Sequence, residues 1–429
     1  MIKSFVNPSP ETWETLSERP KLENDSVDKR VSEILQKVKE EGDSALKFYT
    51  QNFDGCDLSS LWVSPQEITE ASLYVSKELK KAIKTAKANI KAFHKPQCKE
   101  EKRIKTTKGV ACWRKQVPIE KVGLYIPGGT APLFSTVLML GIPAKLAGCK
   151  EIIVCTPPQK DGSIAPEILF TAKLLGIEKI VKCGGAQAIA GLTYGTQSIP
   201  KVSKIFGPGN AYVTAAKQKV QQEGVAIDMP AGPSEVLIIA NRSSNPAFVA
   251  ADLLSQAEHG VDSQIVLVSN DPSTVEKVTV ELQKQIELLP RKEIVEKALT
   301  NSFSVVFETL KTCFEFSNAY APEHLIIASK KAESYANLVV NAGSVFLGNY
   351  SCESAGDYAS GTNHTLPTHG FAKSYSGVSV DSFCKNITFQ KITKKGIENL
   401  GPTIEVMAAA EGLEAHKNAV SIRLKSLKK

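Results

Sequence analysis

The stretch Lys121-Val122-Gly123-Leu124-Tyr125-Ile126-Pro127-Gly128-Gly129-Thr130-Ala131-Pro132 decides the architecture. Its first seven residues form a short apolar run, as a buried strand does, and the glycine pair with its threonine and proline makes a tight turn. Ser135 to Ala147 then reads as a helix, Glu151-Ile152-Ile153-Val154-Cys155 as the next strand, Ala165 to Leu175 as a helix and Lys179-Ile180-Val181 as a further strand. Short β-rich runs that alternate with longer helical segments predict parallel α/β units.

Two more glycine turns, Cys183-Gly184-Gly185-Ala186-Gln187 and Phe206-Gly207-Pro208-Gly209-Asn210, also sit between a strand-like run and a helical one. In an open α/β sheet such turns line the crevice at the carboxyl ends of the strands, where ligands bind. None of them is G-x-G-x-x-G. Gly128-Gly129 ahead of a helix offers backbone N–H groups to a pyrophosphate, a signal weak by itself, and an Asp or Glu at the usual distance for gripping a ribose is not obvious. A second α/β set follows. Ser234 to Ile239, Gln264 to Val268, Ser304 to Phe307 and Leu325 to Ile327 read as strands, with helices from Asn245-Pro246 to Gly260 and from Thr274 to Gln285. No sequence repeat is evident, although the two sets could be duplicated folds.

Outside these sets, residues up to about Pro20 read as an arm. Ser26 to Tyr49 reads as one helix. Lys77 to His94 reads as another, with a buried stripe of Leu79, Ile83, Ala86 and Ile90 and a structural histidine at its end. Gly348 to Ser382 is aperiodic, and a loop of that length in a compact protein is usually functional. Gly412 to Leu427 is an amphipathic helix with a basic tip.

The composition, 42% hydrophobic and 23% charged over 429 residues, is that of a soluble chain long enough for two or more domains. The net charge of +7 comes from scattered lysines, with no arginine-rich arm to argue for nucleic acid. Nine cysteines, none in a CxxC pair, point to reduced thiols in a cytosol. No apolar run reaches the ~20 residues a membrane span needs.

Four places offer chemistry. Asp252, Gln256 and His259 follow i, i+4, i+7 and share a helix face, so Gln256 and His259 could hold a metal ion or simply be solvated. Gly260 stands where a left-handed cap would end that helix. Glu323 and His324 are adjacent, point to different sides, and could serve two proton transfers; the alternative is a surface Glu beside a buried His. Asp357 and His364 lie in the long loop, as candidate ligands or as turn stabilisers. Glu411 and His416 are five apart, which does not place them on one face of a regular helix.

Together the motifs Tyr125-Ile126-Pro127-Gly128-Gly129-Thr130, Phe206-Gly207-Pro208-Gly209-Asn210, Ala231-Gly232-Pro233-Ser234-Glu235, Gln256-Ala257-Glu258-His259, Ala321-Pro322-Glu323-His324 and Ser354 to His364 closely resemble the histidinol dehydrogenase family, over nearly the whole chain. The resemblance implies an α/β fold with two incomplete Rossmann-like parallel-sheet domains and small N- and C-terminal helical extensions. On that basis residues 1–22 are an arm, 23–124 with 235–378 the α/β domain carrying the metal and catalytic residues, 125–234 the dinucleotide-binding domain, and 379–429 a C-terminal extension. It implies zinc-dependent oxidation of L-histidinol to L-histidine through the aldehyde, with reduction of two NAD. Zinc would be held by Gln256, His259, Asp357 and His416. Glu323 and His324 would be the general bases. Substrate would also meet Ser234, His364 and Glu411, and NAD would meet Tyr125, Gln187 and Asn210. The family is a cytoplasmic homodimer in which the C-terminal segment reaches the partner's site, so Glu411 and His416 would act in trans. The rival readings are a relative that oxidises another primary alcohol, a metal-dependent hydrolase using the same cage, and a silent metal-binding scaffold.

Overall fold

Lys121–Tyr125, where the sequence reading began, is the middle strand of a five-stranded parallel sheet. The computed structural model describes residues 2–20, 24–98, 102–128, 132–230 and 232–428; Gly129, Thr130 and Ala131 of the first glycine turn and Ala231 lie outside them. Across this sheet the strands run Ile180–Lys182, Glu151–Thr156, Lys121–Tyr125, Lys204–Phe206, Ala226–Ile227. A second, six-stranded parallel sheet runs Lys3–Val6, Phe303–Val306, Gln264–Ser269, Glu235–Ala240, His324–Ala328, Ser344–Leu347. Counted along the chain from each set's first strand, both sheets have the order three-two-one-four-five; Lys3–Val6 is an addition to the edge of the second. The α/β class therefore stands, and the shared winding matches a duplicated fold without a visible sequence repeat. In each sheet the winding reverses beside the first strand, and ligands of open α/β sheets sit at such a reversal.

The segment expected to be an arm is thus part of the second sheet. Lys3–Val6 pairs with Phe303–Val306 in register, and the Trp13 ring meets Phe307 and Phe316 edge-on. The expected domain division also needs correction. A boundary at 124/125 cuts Lys121–Tyr125, and the preceding helices do not belong with residues 235–378. Val31, Ile34, Leu35 and Leu46 are buried with Ile153 and Ile189, and Val63, Ile68 and Ala71 with Val122 and Val154. Their apolar stripes cover the five-stranded sheet, so the N-terminal helices pack there.

The single helix expected over Ser26 to Tyr49 is two, Asn24–Glu41 and Asp43–Asp54. Gly42 breaks it at φ +59, a backbone conformation open to glycine, and the Gln197 side chain fills the space a Cβ would take. Helix Phe134–Ala147 is buried along almost its whole length. It is covered on its outer side by helix Lys77–His94, whose Ile83, Ala86 and Ile90 are buried as the stripe predicts. His94 is structural: it is fully buried, with Nδ1 3.0 Å from Gln97 Oε1. The C-terminal extension begins as strand Cys384–Ile392, antiparallel to Val110–Pro118, which in turn pairs with Ile104–Thr107. A hairpin of helices Lys394–Ala410 and Glu414–Ser426 closes the chain. No helix among the described residues is long and apolar enough to cross a membrane.

Candidate active site

The site is a cleft of about 710 Å³ between the carboxyl end of strand Lys121–Tyr125 and the amino ends of strands Glu235–Ala240 and His324–Ala328. Helix Pro246–Ala257 supplies one wall. Asn245 caps it, accepting the Ala247 N–H at 3.0 Å. The helix ends at Ala257, so His259 lies in the turn beyond it. Gly260 is not left-handed, contrary to the cap expected there; Glu258 ends the helix with ordinary right-handed angles. Gln256 is fully buried, and both its amide atoms lack a partner among the described residues.

Strand His324–Ala328 supplies the floor. The chain enters it through Ala321, a left-handed non-glycine residue at φ +55 and so a point of backbone strain. Glu323 and Glu235 hold each other across adjacent strands. The Glu235 N–H donates to Glu323 Oε2 at 2.9 Å, and the Glu323 N–H donates to Glu235 Oε1 at 3.2 Å. Arg19 grips the Glu235 carboxylate through Nε and Nη2 at 2.8 and 3.0 Å. His324 Nδ1 lies 3.3 Å from the Glu235 carbonyl oxygen. A carbonyl only accepts, so neutral His324 carries its proton on Nδ1 and its lone pair on Nε2. Nε2 is buried, has no hydrogen-bond partner among the described residues, and lies 3.6 Å from Asp357 Oδ1.

The stretch read as an aperiodic loop holds a short helix, Glu353–Tyr358. Glu353 and Asp357 are one turn apart on it and share a face. Glu353 is fully buried with neither carboxylate oxygen partnered among the described residues, and its Oε1 is 3.9 Å from His324 Nδ1. Sequence reasoning passed over it, although its i, i+4 relation to Asp357 was the available signal. The donor atoms of His259, Glu353 and Asp357 lie within 4.8 Å of one another. That grouping and the orphaned Gln256 amide are what a cation site built from oxygen and imidazole donors looks like. His364 Nδ1 points to the Asp357 carbonyl oxygen at 2.9 Å and Nε2 to Thr136 Oγ1 at 3.2 Å. Ser234 also lines the cleft.

Burial pushes the Glu323 carboxyl up to about 8. Burial alone would lower His324, but Glu353, Glu323 and Asp357 outweigh it and hold the imidazolium up. Asp357 shows the reverse balance: burial raises it, and His324, His364 and His259 bring it below the usual carboxylate range. Glu353 is raised well above that range by burial. His259 stands open to water yet is walled by protein, and that wall lowers its pKa.

A second cavity, of about 1010 Å³, opens at the carboxyl ends of the five-stranded sheet and shares Tyr125, Gly128 and Asn210 with the first. Gln187 lines it and is buried with Oε1 unpartnered among the described residues. The Tyr125 hydroxyl accepts the Gly185 N–H at 3.1 Å. Asn210 caps helix Ala211–Gln222 through Oδ1, which leaves its NH₂ for the cavity. Its position is fixed by Gly207, at φ +128, where a Cβ would strike the Tyr125 carbonyl. The Gly207 N–H and carbonyl are held by Asp228 and Lys217, a buried ion pair. Glu411 and His416 line neither cavity and are exposed on the C-terminal hairpin.

Residues 17–424 match the sequence model of the family described as histidinol dehydrogenase. A histidinol dehydrogenase of Bacteroides thetaiotaomicron is 57% identical over 428 residues, covering 100% of both chains. One of Vibrio parahaemolyticus is 49% identical over 422 residues, 98% of this chain and 97% of that one. A crystal structure of histidinol dehydrogenase from Elizabethkingia anophelis superposes with a TM-score of 0.98 at 56% identity, covering 100% of this chain and 99% of that one. Matched over nearly its whole length by the family model, by these relatives and by the solved structure, the chain belongs to the histidinol dehydrogenase family, oxidoreductases that act on a CH–OH group.

Proposed function

We propose that this chain oxidises L-histidinol to L-histidine through histidinaldehyde, with two NAD reduced, in the last steps of histidine biosynthesis. The observation that carries the reading is the His324 imidazole: in its neutral form Nδ1–H points to the Glu235 carbonyl, and the Nε2 lone pair has no hydrogen-bond partner among the described residues. That nitrogen takes the hydroxyl proton of the alcohol as hydride leaves the same carbon for a nicotinamide in the adjoining cavity. The Glu323 carboxylate, held by the Glu235 N–H, takes a proton from the water that adds to the aldehyde. Once His324 has released its first proton to solvent, it takes the remaining hydroxyl proton of the hydrated aldehyde as the second hydride goes to a second NAD, leaving the carboxylate. Tyr125, Gln187 and Asn210 form the dinucleotide side, and Ser234 and His364 line the substrate side.

Gln256, His259 and Asp357 are the residues of one chain that would hold zinc, with Glu353 beside them. When bound, the metal supplies a Lewis-acid anchor for the amine and imidazole of the substrate, and its charge balances the buried carboxylates. The fourth ligand, His416, and the substrate contact Glu411 come from a second copy in a homodimer. What supports this is their exposed position outside their own cleft, with Met407, Leu413 and Ile422 exposed on the same hairpin. Nine free cysteines accord with a cytoplasmic enzyme.

The test is NADH formation with L-histidinol, run beside a panel of other primary alcohols and after chelation. Turnover selective for histidinol and lost on chelation is expected. Full rate without metal, or preference for another alcohol, overturns the reading.

A further inference from the structure

The acids at the usual spacing after the glycine turns are engaged elsewhere, Glu151 by Lys121 and Lys179 and Asp228 by Lys217, yet the cavity there contains another carboxylate. Asp54 is the last residue of helix Asp43–Asp54, and left-handed Gly55, at φ +71, ends that helix. Asp54 lines the 1010 Å³ cavity, and its Oδ2 is buried with no hydrogen-bond partner among the described residues. Two further polar atoms in the same wall share that condition. Thr156 Oγ1, at the end of a strand, and Gln187 Oε1, in the first turn of a helix, belong to residues 0% and 1% exposed. Three separate elements therefore bring buried, unpaired polar atoms to one cavity, and buried polar groups are seldom left unpaired.

The ionised carboxylate only accepts hydrogen bonds, so the ligand part that meets it must donate. Among the described residues no neighbouring cation offsets its burial. Burial accordingly raises the Asp54 carboxyl to about 6. Arg30 and Lys160 also line the cavity but are exposed, which suits a pyrophosphate at the rim. The nicotinamide end of a dinucleotide must face His324, across the part of the cavity shared with the cleft. Asp54 is not in that shared part, so it belongs to the adenosine end.

We propose that Asp54 accepts the two vicinal hydroxyls of the adenosine ribose and thereby selects NAD over its 2′-phosphorylated form. A 2′-phosphate would replace a donor with a dianion beside a partly buried carboxylate, a repulsive pairing. The inference rests on the dinucleotide reading of this cavity, and two measurements keep them apart. The first uses the unaltered enzyme: ADP-ribose and 2′-phospho-ADP-ribose compete against NAD at saturating histidinol. The phosphorylated competitor should bind about tenfold or more weakly; equal inhibition by both overturns the role of Asp54. The second compares Asp54→Asn and Asp54→Ser with the parent. The KM for NAD should rise about tenfold or more, and the NAD-to-NADP preference in kcat/KM should shrink by a similar factor. An unchanged KM and an unchanged preference, in an enzyme that reduces NAD, overturn the proposal alone. Failure of either ADP-ribose to compete, with no NAD reduction by the folded parent, overturns the dinucleotide reading and this proposal together.

Discussion

Replacing Arg19 with Met should destabilise the six-stranded half of the molecule by about 4 kcal/mol, because it removes one partner of a buried ion pair and leaves the other charged. The Arg19 side chain is 7% exposed and that of Glu235 1%. Besides its two bonds to Glu235, the guanidinium donates to the Tyr320 carbonyl at 2.8 Å and to the Ser17 carbonyl at 2.7 Å, and lies 3.6 Å over the Tyr320 ring. In the variant, the Glu323 N–H, at 3.2 Å, is the one donor left to the Glu235 carboxylate among the described residues. Breaking such a pair typically costs about 3–5 kcal/mol, most of it the uncompensated charge. The assay is denaturant unfolding of the parent, Arg19→Met, Glu235→Gln and the double variant. The charge argument requires the double variant to be more stable than the sum of the two single losses predicts, by at least about 1.5 kcal/mol. An additive cycle, or a loss below about 1 kcal/mol in Arg19→Met, refutes it and leaves Arg19 as buried packing.

Glu323→Gln should slow the aldehyde-to-acid half far more than the alcohol half, by about 10²-fold or more, in single-turnover NADH formation started from histidinaldehyde and from histidinol; equal slowing would mean that Glu323 serves both halves. Mixing His324→Ala with His416→Ala after subunit exchange should restore about a quarter of parental activity if His416 acts in trans, because half the dimers are hybrids and each has one intact site; no recovery in proven hybrids sinks the trans arrangement. Burial pushes Asp252 up to about 7 from an ordinary value of 3.8, so the folded state binds more protons than the unfolded state between those values. That contribution is full below pH ~4 and is lost as pH rises towards ~7, by at most about 1.4 kcal/mol per pH unit. Asp252→Asn should therefore flatten the decline of stability across that window; parallel curves would show that Asp252 titrates normally.

The parallel sheets were legible because both faces of each are covered, which writes an uninterrupted apolar run into the sequence. Lys121–Tyr125, Glu151–Thr156 and Gln264–Ser269 all fall within two residues of their expected bounds. The antiparallel strands Val110–Pro118 and Cys384–Ile392 escaped because the first is mostly half-buried and the second open to solvent, so no alternating buried face marks them. Helix Lys394–Ala410 was hidden by Gly396, Gly401 and Pro402. Gly396 is needed where the chain crosses the Gly109 backbone, and Gly401 where Leu424 packs. In the site, Gln256, His259, Glu323, His324, Asp357 and His364 all line one cleft. Glu353, Arg19 and Asp54 were not found. Glu353 carried one signal, its i, i+4 relation to Asp357, within a stretch read as aperiodic, and the other two act through partners far along the chain.

The edge strand Lys3–Val6 sets a delay in synthesis. Its partner Phe303–Val306 lies 300 positions downstream, Lys3 opposite Phe303. At a ribosomal pace of about 5–20 residues per second, the early strand waits roughly 15–60 s before its ladder can form. During that interval its backbone N–H and C=O groups are an open template for any other nascent chain. The brevity of the strand and the lysine that begins it limit that exposure, so its composition serves assembly as well as the finished sheet.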